Sequence, residues 1–350
     1  MSIAVLLPAL TSLLAFVFAL MLVEQWWDRR HGFQAIWALG MLFFGIASAC
    51  EALGEAGGWS EVVYRTWYLT GAVLTASWLG LGTAFLLGKT RFGYGYAALV
   101  LLGGLIAFAA RNTYDAGTVG VVIIIGALVV AISIAVETYF QSERWPQMAA
   151  AAVVVASVAG AFFAFTDALS GPLPTIGTVP TGAAMAGPAR DVSLFLNVPG
   201  GIALILGALF SAYIFMPKKR VLDYSLDAGQ PGDQFLFNVI IACFAVPVNF
   251  MASVPGAIKA LFTGKIHSRV PATLLIAVGG IVVSSADSLS RLGSTAGYSV
   301  AKLVALVLIF LGFLVSTEVF RTIRIPFTNR VLRDARQEPQ ASSPATNGVR

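Results

Sequence analysis

Charged residues are scarce in this chain of 350 residues, where they make up 11% of the total. Soluble domains carry roughly a quarter, so much of this protein's surface must face lipid instead of water. Histidine and cysteine each occur twice. The histidines fall in expected loops and the cysteines in apolar runs, so haem ligation, a His/Cys metal site and a disulfide are not expected. We predict no cofactor and no metal.

Common catalytic motifs are also missing from the sequence. It contains no P-loop, no HExxH zinc motif and no GxSxG nucleophile elbow. The SADS stretch at Ser285–Ser288 places hydroxyl groups beside a carboxylate, but no histidine accompanies them as a base. Because the chain also lacks a recognisable kinase or cyclase domain, we expect a non-enzymatic protein.

Long, unalternated apolar runs dominate what is present: 58% of the residues are hydrophobic and the mean hydropathy is +0.83. Runs of this kind predict an all-α, polytopic helical transmembrane protein with about nine or ten membrane helices. The 35 glycines suit close helix packing in a bilayer. The expected helices are Ile3–Val23, Phe33–Leu53, Val63–Leu87, Ala97–Ala110, Val119–Phe140, Met148–Phe165, Leu194–Phe215, Phe235–Phe262, Ala272–Ala286 and Tyr298–Phe320.

The distribution of basic residues predicts the organisation of the chain. The strongest cytoplasmic signal is PKKR at Pro217–Arg220. Because seven expected crossings precede it, we predict that the N-terminus lies on the outer side of the cell membrane. The net charge of +5 lies in loops and in the tail, a pattern that reports membrane orientation and not nucleic-acid binding. We predict a seven-helix unit over 1–220, a cytoplasmic linker over 221–234, C-terminal membrane helices over 235–320 and a basic, disordered cytoplasmic tail over 321–350.

A conflict arises at the run Phe235–Phe262. If it crosses the bilayer once, the arginine-rich tail and the loop with Lys265 fall outside, against the positive-inside rule. Pro247 and Pro255 each remove a helical hydrogen bond. We therefore predict a broken or re-entrant segment here, with the alternative that the short fourth helix or another short run does not cross.

Ionisable residues at helix ends supply the candidate binding site. The stretch Trp37–Leu87 forms a helical hairpin with a charged turn, in which Glu51 and Glu55 share one helix face. Asp287 and Lys302 flank a short turn and are expected to meet across it. Trp59, Trp67 and Tyr68 are expected at the membrane interface. The candidate ligand-binding residues are Glu51, Glu55, Arg65, Asp167, Asp287 and Lys302, set in an outward-facing vestibule for a cation, a proton or an amine-bearing ligand.

The hairpin sequence WALGMLFFGIASACEALG…YRTWYLTGAVLTASWLGLGTAFLL resembles uncharacterised bacterial multi-pass membrane proteins. The seven-helix, N-outside arrangement of Ile3–Arg220 is similar to the membrane sensor regions of bacterial histidine kinases. This resemblance implies a sensing module in the bacterial inner membrane. It carries no site residues over, and the missing kinase means that phosphotransfer is not implied.

These features favour a non-enzymatic sensor or binding module for a small or lipidic ligand, with the lipid bilayer as its surroundings. The alternative is a secondary transporter driven by protons or cations. It is motivated by the expected break in Phe235–Phe262, because transporters build their substrate sites from interrupted helices.

Overall fold

The computed structural model describes residues 2–109, 116–140, 144–185, 187–225, 232–291, 295–316, 322–324 and 331–334. Within these ranges, eight helical stretches are long and apolar enough to cross a membrane. The backbone hydrogen bonds of such stretches are satisfied internally, as a hydrocarbon environment requires. The all-α, polytopic class is confirmed, and the protein is a multi-pass membrane protein.

The helices follow one another through short connections, apart from the long segments after α7 and α8. A π-helical segment, Tyr68–Thr75, joins α3 and α4 into one continuous apolar stretch. The bounds are α1 Ile3–Arg29, α2 Gly32–Gly57, α3 Glu61–Trp67, α4 Ala76–Leu86, α5 Phe92–Ala109, α6 Ala116–Phe140, α7 Trp145–Thr166, α8 Gly187–Phe215, α9 Gly232–Phe262, α10 Arg269–Arg291 and α11 Thr295–Val315.

The central core lies where α1, α2, α4, α8, α10 and α11 meet. Phe18 and Phe313 are buried there with ring centroids 5.0 Å apart, and Trp37 packs edge-on against Phe313. The indole N–H of Trp37 donates to the carbonyl of Leu79 over 3.0 Å, so its polar group has a partner inside the core. This core holds α11 against α1, which positions the start of α11 beside the end of α2.

Two glycines allow α4 and α8 to approach each other closely. A Cβ atom on Gly200 would lie 2.5 Å from backbone atoms of Ala76 and Ser77, and one on Gly80 would lie 2.4 Å from the carbonyl oxygen of Gly200. Only glycine permits this approach, which is typical of helix packing in membranes.

Replacing Gly200 by alanine should therefore lower the free energy of unfolding by about 1–3 kcal/mol, because the clash is with backbone that cannot rotate away. Gly201→Ala is the matched control, since a Cβ there meets nothing within 4 Å. Both changes carry the same gain in helix propensity, so the difference in thermal unfolding temperature in detergent measures the clash. Equal temperatures for the two variants would contradict the close contact.

The bundle has two ends, which we name by their residues. The cavity end contains Glu51 at the end of α2 and Tyr298 at the start of α11. The basic end contains the exposed side chains of Lys218, Lys219 and Arg220, just after α8.

The prediction of a break in Phe235–Phe262 is wrong. One continuous α-helix of 31 residues, α9, spans this segment with Pro247 and Pro255 inside it. Each proline removes a single backbone hydrogen bond, whereas a break would free about four N–H and four C=O groups at new helix ends. In apolar surroundings the continuous helix leaves fewer backbone groups unpaired.

Two further expectations need correction. Thr322–Arg324 and Val331–Asp334 pair as short antiparallel strands, β1 and β2, so these parts of the tail are not disordered, and the rest of 321–350 lies outside the described residues. The β-branched residues in both strands favour this conformation. Trp59, Trp67 and Tyr68, expected at the interface, are buried in a cluster between α2, α3, α7 and α8.

Candidate functional site

The turn between α2 and α3 positions the first part of the site. Ser60 caps the N-terminus of α3, where its Oγ accepts from the backbone N–H of Val63 over 3.3 Å. Gly54 leaves room for the Trp59 ring, because a Cβ at Gly54 would lie 2.3 Å from it. The tight turn brings α3 back along α2, so that Trp67 faces Glu51.

Glu51 and Lys302 form a buried ion pair between α2 and α11. The distance from Lys302 Nζ to Glu51 Oε1 is 2.7 Å, and the two side chains are 8% and 4% exposed. The same oxygen accepts from Trp67 Nε1 over 2.8 Å and from the Tyr298 hydroxyl over 3.2 Å. Lys302 Nζ also lies 5.2 Å from the ring centroid of Phe44. Both charges are thus satisfied in a place where an unpaired charge would be very costly.

A cavity of about 190 Å³ opens beside this ion pair. Among the described residues, Glu51 and Glu55 are the charged members of its lining, and Lys302 lies outside the lining. The other lining residues are mostly apolar and come from the start of α1, the loop after α7 and the start of α11: Ile3, Ala4, Leu7, Pro8, Gly177, Thr178, Val179, Pro180, Tyr298 and Ser299. The cavity therefore offers carboxylates within an otherwise apolar surface.

The long loop between α7 and α8 folds over the cavity end. Glu55 Oε2 accepts from the backbone N–H of Gly177 over 2.8 Å, and the Tyr64 hydroxyl donates to the carbonyl of Thr181 over 2.8 Å. These bonds fix the loop to α2 and α3. A ligand entering the cavity would therefore contact a loop that is already attached to both helices.

Arg65 and Asp167 form a separate cluster. The guanidinium of Arg65 donates to the carbonyls of Ala164 over 2.6 Å and Asp167 over 2.8 Å at the end of α7. The Asp167 carboxylate accepts from the backbone N–H of Ala189 over 2.9 Å, in the first turn of α8. This is the usual place for a carboxylate that caps a helix, so the cluster joins α3, α7 and α8 and does not line the cavity.

The candidate residues thus divide into three groups. Glu51 and Lys302 are paired, with Glu55 on the same cavity wall, whereas Arg65 and Asp167 belong to the second cluster. Asp287 lies in α10, and its side chain is outside the described part of the structure. Lys302 pairs with Glu51, and the expected contact between Lys302 and Asp287 lies outside the described part of the structure.

Sequence reasoning missed Tyr298 and Trp67 as partners of Glu51. Tyr298 precedes Lys302 by four residues, a spacing that places both on one helix face and that would have indicated it. Trp67 carries no comparable signal, because its pairing with Glu51 depends on how the turn between α2 and α3 closes.

A larger, apolar cavity of about 480 Å³ lies between α5, α6, α7 and α8. The described part of its lining includes Tyr96, Trp145 and Ser133 and no charged side chain. Ile132 and Met148, exposed at 44% and 41%, also line it. Its size and its mostly apolar lining suit an apolar chain.

The described residues contain no group of three or more histidine, cysteine, aspartate or glutamate side chains that could hold a metal ion. A comparison with protein-family models, with curated proteins and with solved structures gives no match.

Proposed function

We propose that the protein is a non-enzymatic membrane module that binds a small, amine-bearing ligand in the Glu51 cavity and senses it through the Glu51–Lys302 ion pair. One observation carries this proposal: Glu51 both lines the cavity and pairs with Lys302 at 2.7 Å. A ligand that reaches the cavity therefore reaches one partner of a buried ion pair between two helices.

The class of ligand follows from the lining. Glu51 and Glu55 present negative charge, and the residues around them are mostly apolar. An ammonium group attached to a small apolar body complements both. Cavities for drug-sized ligands measure about 300–1,000 Å³, so a cavity of about 190 Å³ suits a smaller molecule.

In the proposed sensing step, the ligand ammonium and Lys302 compete for the Glu51 carboxylate. A ligand ammonium that bonds to Glu51 replaces part of the interaction that Lys302 makes with it. Lys302 belongs to α11 and Glu51 to α2, so the ligand favours an arrangement in which these helices are less tightly coupled. Such a ligand shifts the equilibrium by the difference of its affinities for the two arrangements.

The proposed location is the bacterial inner membrane, with the cavity end outside and the basic end in the cytoplasm. Lys218, Lys219 and Arg220 at the basic end support this orientation through the positive-inside rule. The likeness of Ile3–Arg220 to sensor regions agrees with it. The transporter alternative depended on a broken segment that α9 does not have, so we do not propose it.

The test is ligand-induced thermal stabilisation of the purified protein in nanodiscs, with hexylammonium and benzylammonium as probes. The matched neutral alcohols, hexanol and benzyl alcohol, serve as controls for apolar binding alone. We expect the amines to stabilise the protein by about 2.7 kcal/mol at a concentration of 100 Kd, and the alcohols to have little effect.

Glu51→Gln should abolish the amine response, measured relative to the variant's own unfolding temperature. Glu61→Gln removes the same charge at the same end but outside the cavity lining, where Glu61 is 60% exposed, and should leave the response intact. A response that survives Glu51→Gln, or alcohols as effective as amines, would contradict the proposal.

A further inference from the structure

Length and composition alone make α9 a membrane crossing, since it has 31 residues and few charges. Its contacts place it differently. The linker that follows α8 and the loop that precedes α10 show at which end of the bundle the second half of α9 lies.

The chain leaves α8 and enters α10 at the same end of the bundle. The ring of Phe215, the last residue of α8, lies 4.8 Å from the ring of His267, and the Arg269 guanidinium lies 4.5 Å from the Phe215 centroid. Val270 is buried in the same cluster as Tyr213. If α9 crossed the bilayer to end here, residues 216–231 before it would have to traverse the hydrocarbon as well, and they include Asp223 and Asp227, whose charges are costly there.

The middle of α9 also lies at the basic end, where α8 ends and α10 begins. Asn249 Oδ1 accepts from the backbone N–H groups of Val221 and Leu222 over 2.7 and 3.0 Å, and its Nδ2 donates to the carbonyl of Leu222 over 2.7 Å. Ser253 Oγ accepts from the backbone N–H of Lys219 over 2.8 Å. These linker residues belong to or directly follow the exposed basic run Lys218–Arg220, so Asn249 and Ser253 lie near the water boundary.

Both termini of the second half of α9 therefore lie at the basic end of the bundle. From Asn249 to Phe262 the helix axis extends about 20 Å at 1.5 Å per residue. Asn249 is tied to the linker, and a loop of a few residues after Phe262 leads to Arg269 on the end of α8. A helix with both points at one boundary runs along it and not across it.

The two sides of α9 differ in exposure: one side is buried against the protein, and the other is apolar and exposed. Ala245, Asn249, Ser253 and Ala257 form the buried side, which packs on the linker and on the end of α8. The opposite side is an apolar stripe with seven-residue spacing and high exposure. Its members are Phe237 (64%), Phe244 (70%), Met251 (67%) and Ile258 (50%), with Phe262 (85%) at the end.

We infer that α9 does not cross the bilayer but lies in the interface of the leaflet at the basic end, with its apolar stripe among the acyl chains. Its partner is the anionic phospholipid of that leaflet. From Lys218 to Arg269 the sequence holds six basic and three acidic residues. Amphipathic helices flanked by such cations bind anionic membrane surfaces.

This placement resolves the conflict in the distribution of basic residues. If α5 and α6 cross the bilayer in addition to the stretches counted above, the bundle without α9 crosses seven times up to α8 and twice more through α10 and α11. The loop with Lys265 and the arginine-rich tail then fall on the same side as Lys218–Arg220, as the positive-inside rule requires. No break in α9 is needed for this result.

The first experiment tests sidedness in the full-length protein, with Cys50 and Cys243 replaced by alanine. Single cysteines at Lys219, Lys265 and Thr178 are labelled with a membrane-impermeant maleimide in right-side-out and inside-out vesicles. We expect Lys219→Cys and Lys265→Cys to react from the same side, and Thr178→Cys, in the loop over the cavity, from the other. Labelling of Lys265→Cys together with Thr178→Cys would show that α9 crosses and would overturn the inference.

The second experiment measures depth with spin labels in vesicles of phosphatidylglycerol and phosphatidylcholine. Labels at Phe244→Cys, Met251→Cys and Ile258→Cys should lie at one shallow depth. The matched control is Val304→Cys and Leu311→Cys on the lipid-facing side of α11, exposed at 45% and 43%, whose depths should differ by about 10 Å. A comparable depth change along α9 would contradict the interfacial placement.

Vesicles of phosphatidylcholine alone test the choice of partner. There the labels on α9 should become more accessible to a water-soluble relaxant than in the anionic vesicles. Identical accessibility in both lipids would show that anionic headgroups do not hold the helix.

Discussion

Replacing Lys302 by methionine is expected to lower the free energy of unfolding by about 3–5 kcal/mol, because it leaves the Glu51 carboxylate buried without a counter-ion. The Trp67 and Tyr298 bonds to Glu51 remain but carry no positive charge. Methionine fills a similar volume, so the loss reflects charge more than packing. Chemical unfolding in mild detergent, followed by tryptophan fluorescence, measures it.

The double variant Glu51→Gln/Lys302→Met separates the ion pair from the charges themselves. Removing both charges should restore much of the stability lost in Lys302→Met, since a buried pair contributes little net free energy once its desolvation is counted. Lys259→Met, which removes an exposed lysine of α9, is the control and should change little. A double variant no more stable than Lys302→Met alone would show that the pairing is not what matters at this site.

Replacing Arg65 by methionine is expected to lower the free energy of unfolding by about 3 kcal/mol, since hydrogen bonds to a charged group contribute about 1.5–3 kcal/mol each. Two such bonds join α3 to the last turn of α7, at Ala164 and Asp167. The side chain is 9% exposed, so water cannot replace them fully. Thermal unfolding in detergent gives the measurement.

The two bonds of Arg65 can be separated from its ion pair with Glu61. Arg65→Lys keeps the charge but loses the planar fork that reaches both carbonyls, so it should recover only part of the stability. Glu61→Gln should change it by less than about 1 kcal/mol, because that carboxylate is 60% exposed. If Glu61→Gln is as damaging as Arg65→Met, the surface ion pair is the important contact and the carbonyl bonds are not.

The class of fold could be predicted from the sequence, because long apolar runs can satisfy their backbone hydrogen bonds in a bilayer only as helices. The sequence also indicated that Glu51 and Glu55 share a helix face and that the charged turn after α2 supplies candidate ligand-binding residues. The structure shows Glu51 to be buried, with 3% exposure. These are local properties, set by residues within one or two turns of each other.

Long-range pairing was beyond the same reasoning. Glu51 and Lys302 are 251 residues apart, and which helix ends meet depends on the packing of the whole bundle. Asp287 is the nearer carboxylate in sequence, and its side chain lies outside the described part of the structure. The π-helical segment at Tyr68–Thr75 has no composition that separates it from ordinary helix.

The prolines of α9 show why local rules were misleading at that position. Pro247 and Pro255 indicate a helix end when taken one at a time. The helix continues through them, and Asn249 and Ser253 attach it to the linker at positions between the two prolines. This constraint comes from another segment of the chain, which is not visible in the residues around each proline.

The uninterrupted course of α11 gives the Glu51 cavity a mechanical connection to the opposite face of the membrane. Lys302 lies near the beginning of this helix and Val315 at its end, about 20 Å further along the axis. A continuous helix transmits a tilt along its length, so a tilt at Lys302 also moves Val315, after which the chain continues to β1 and β2. Under the proposed function, the occupancy of the cavity would therefore be readable at this hairpin without any signal passing through the lipid.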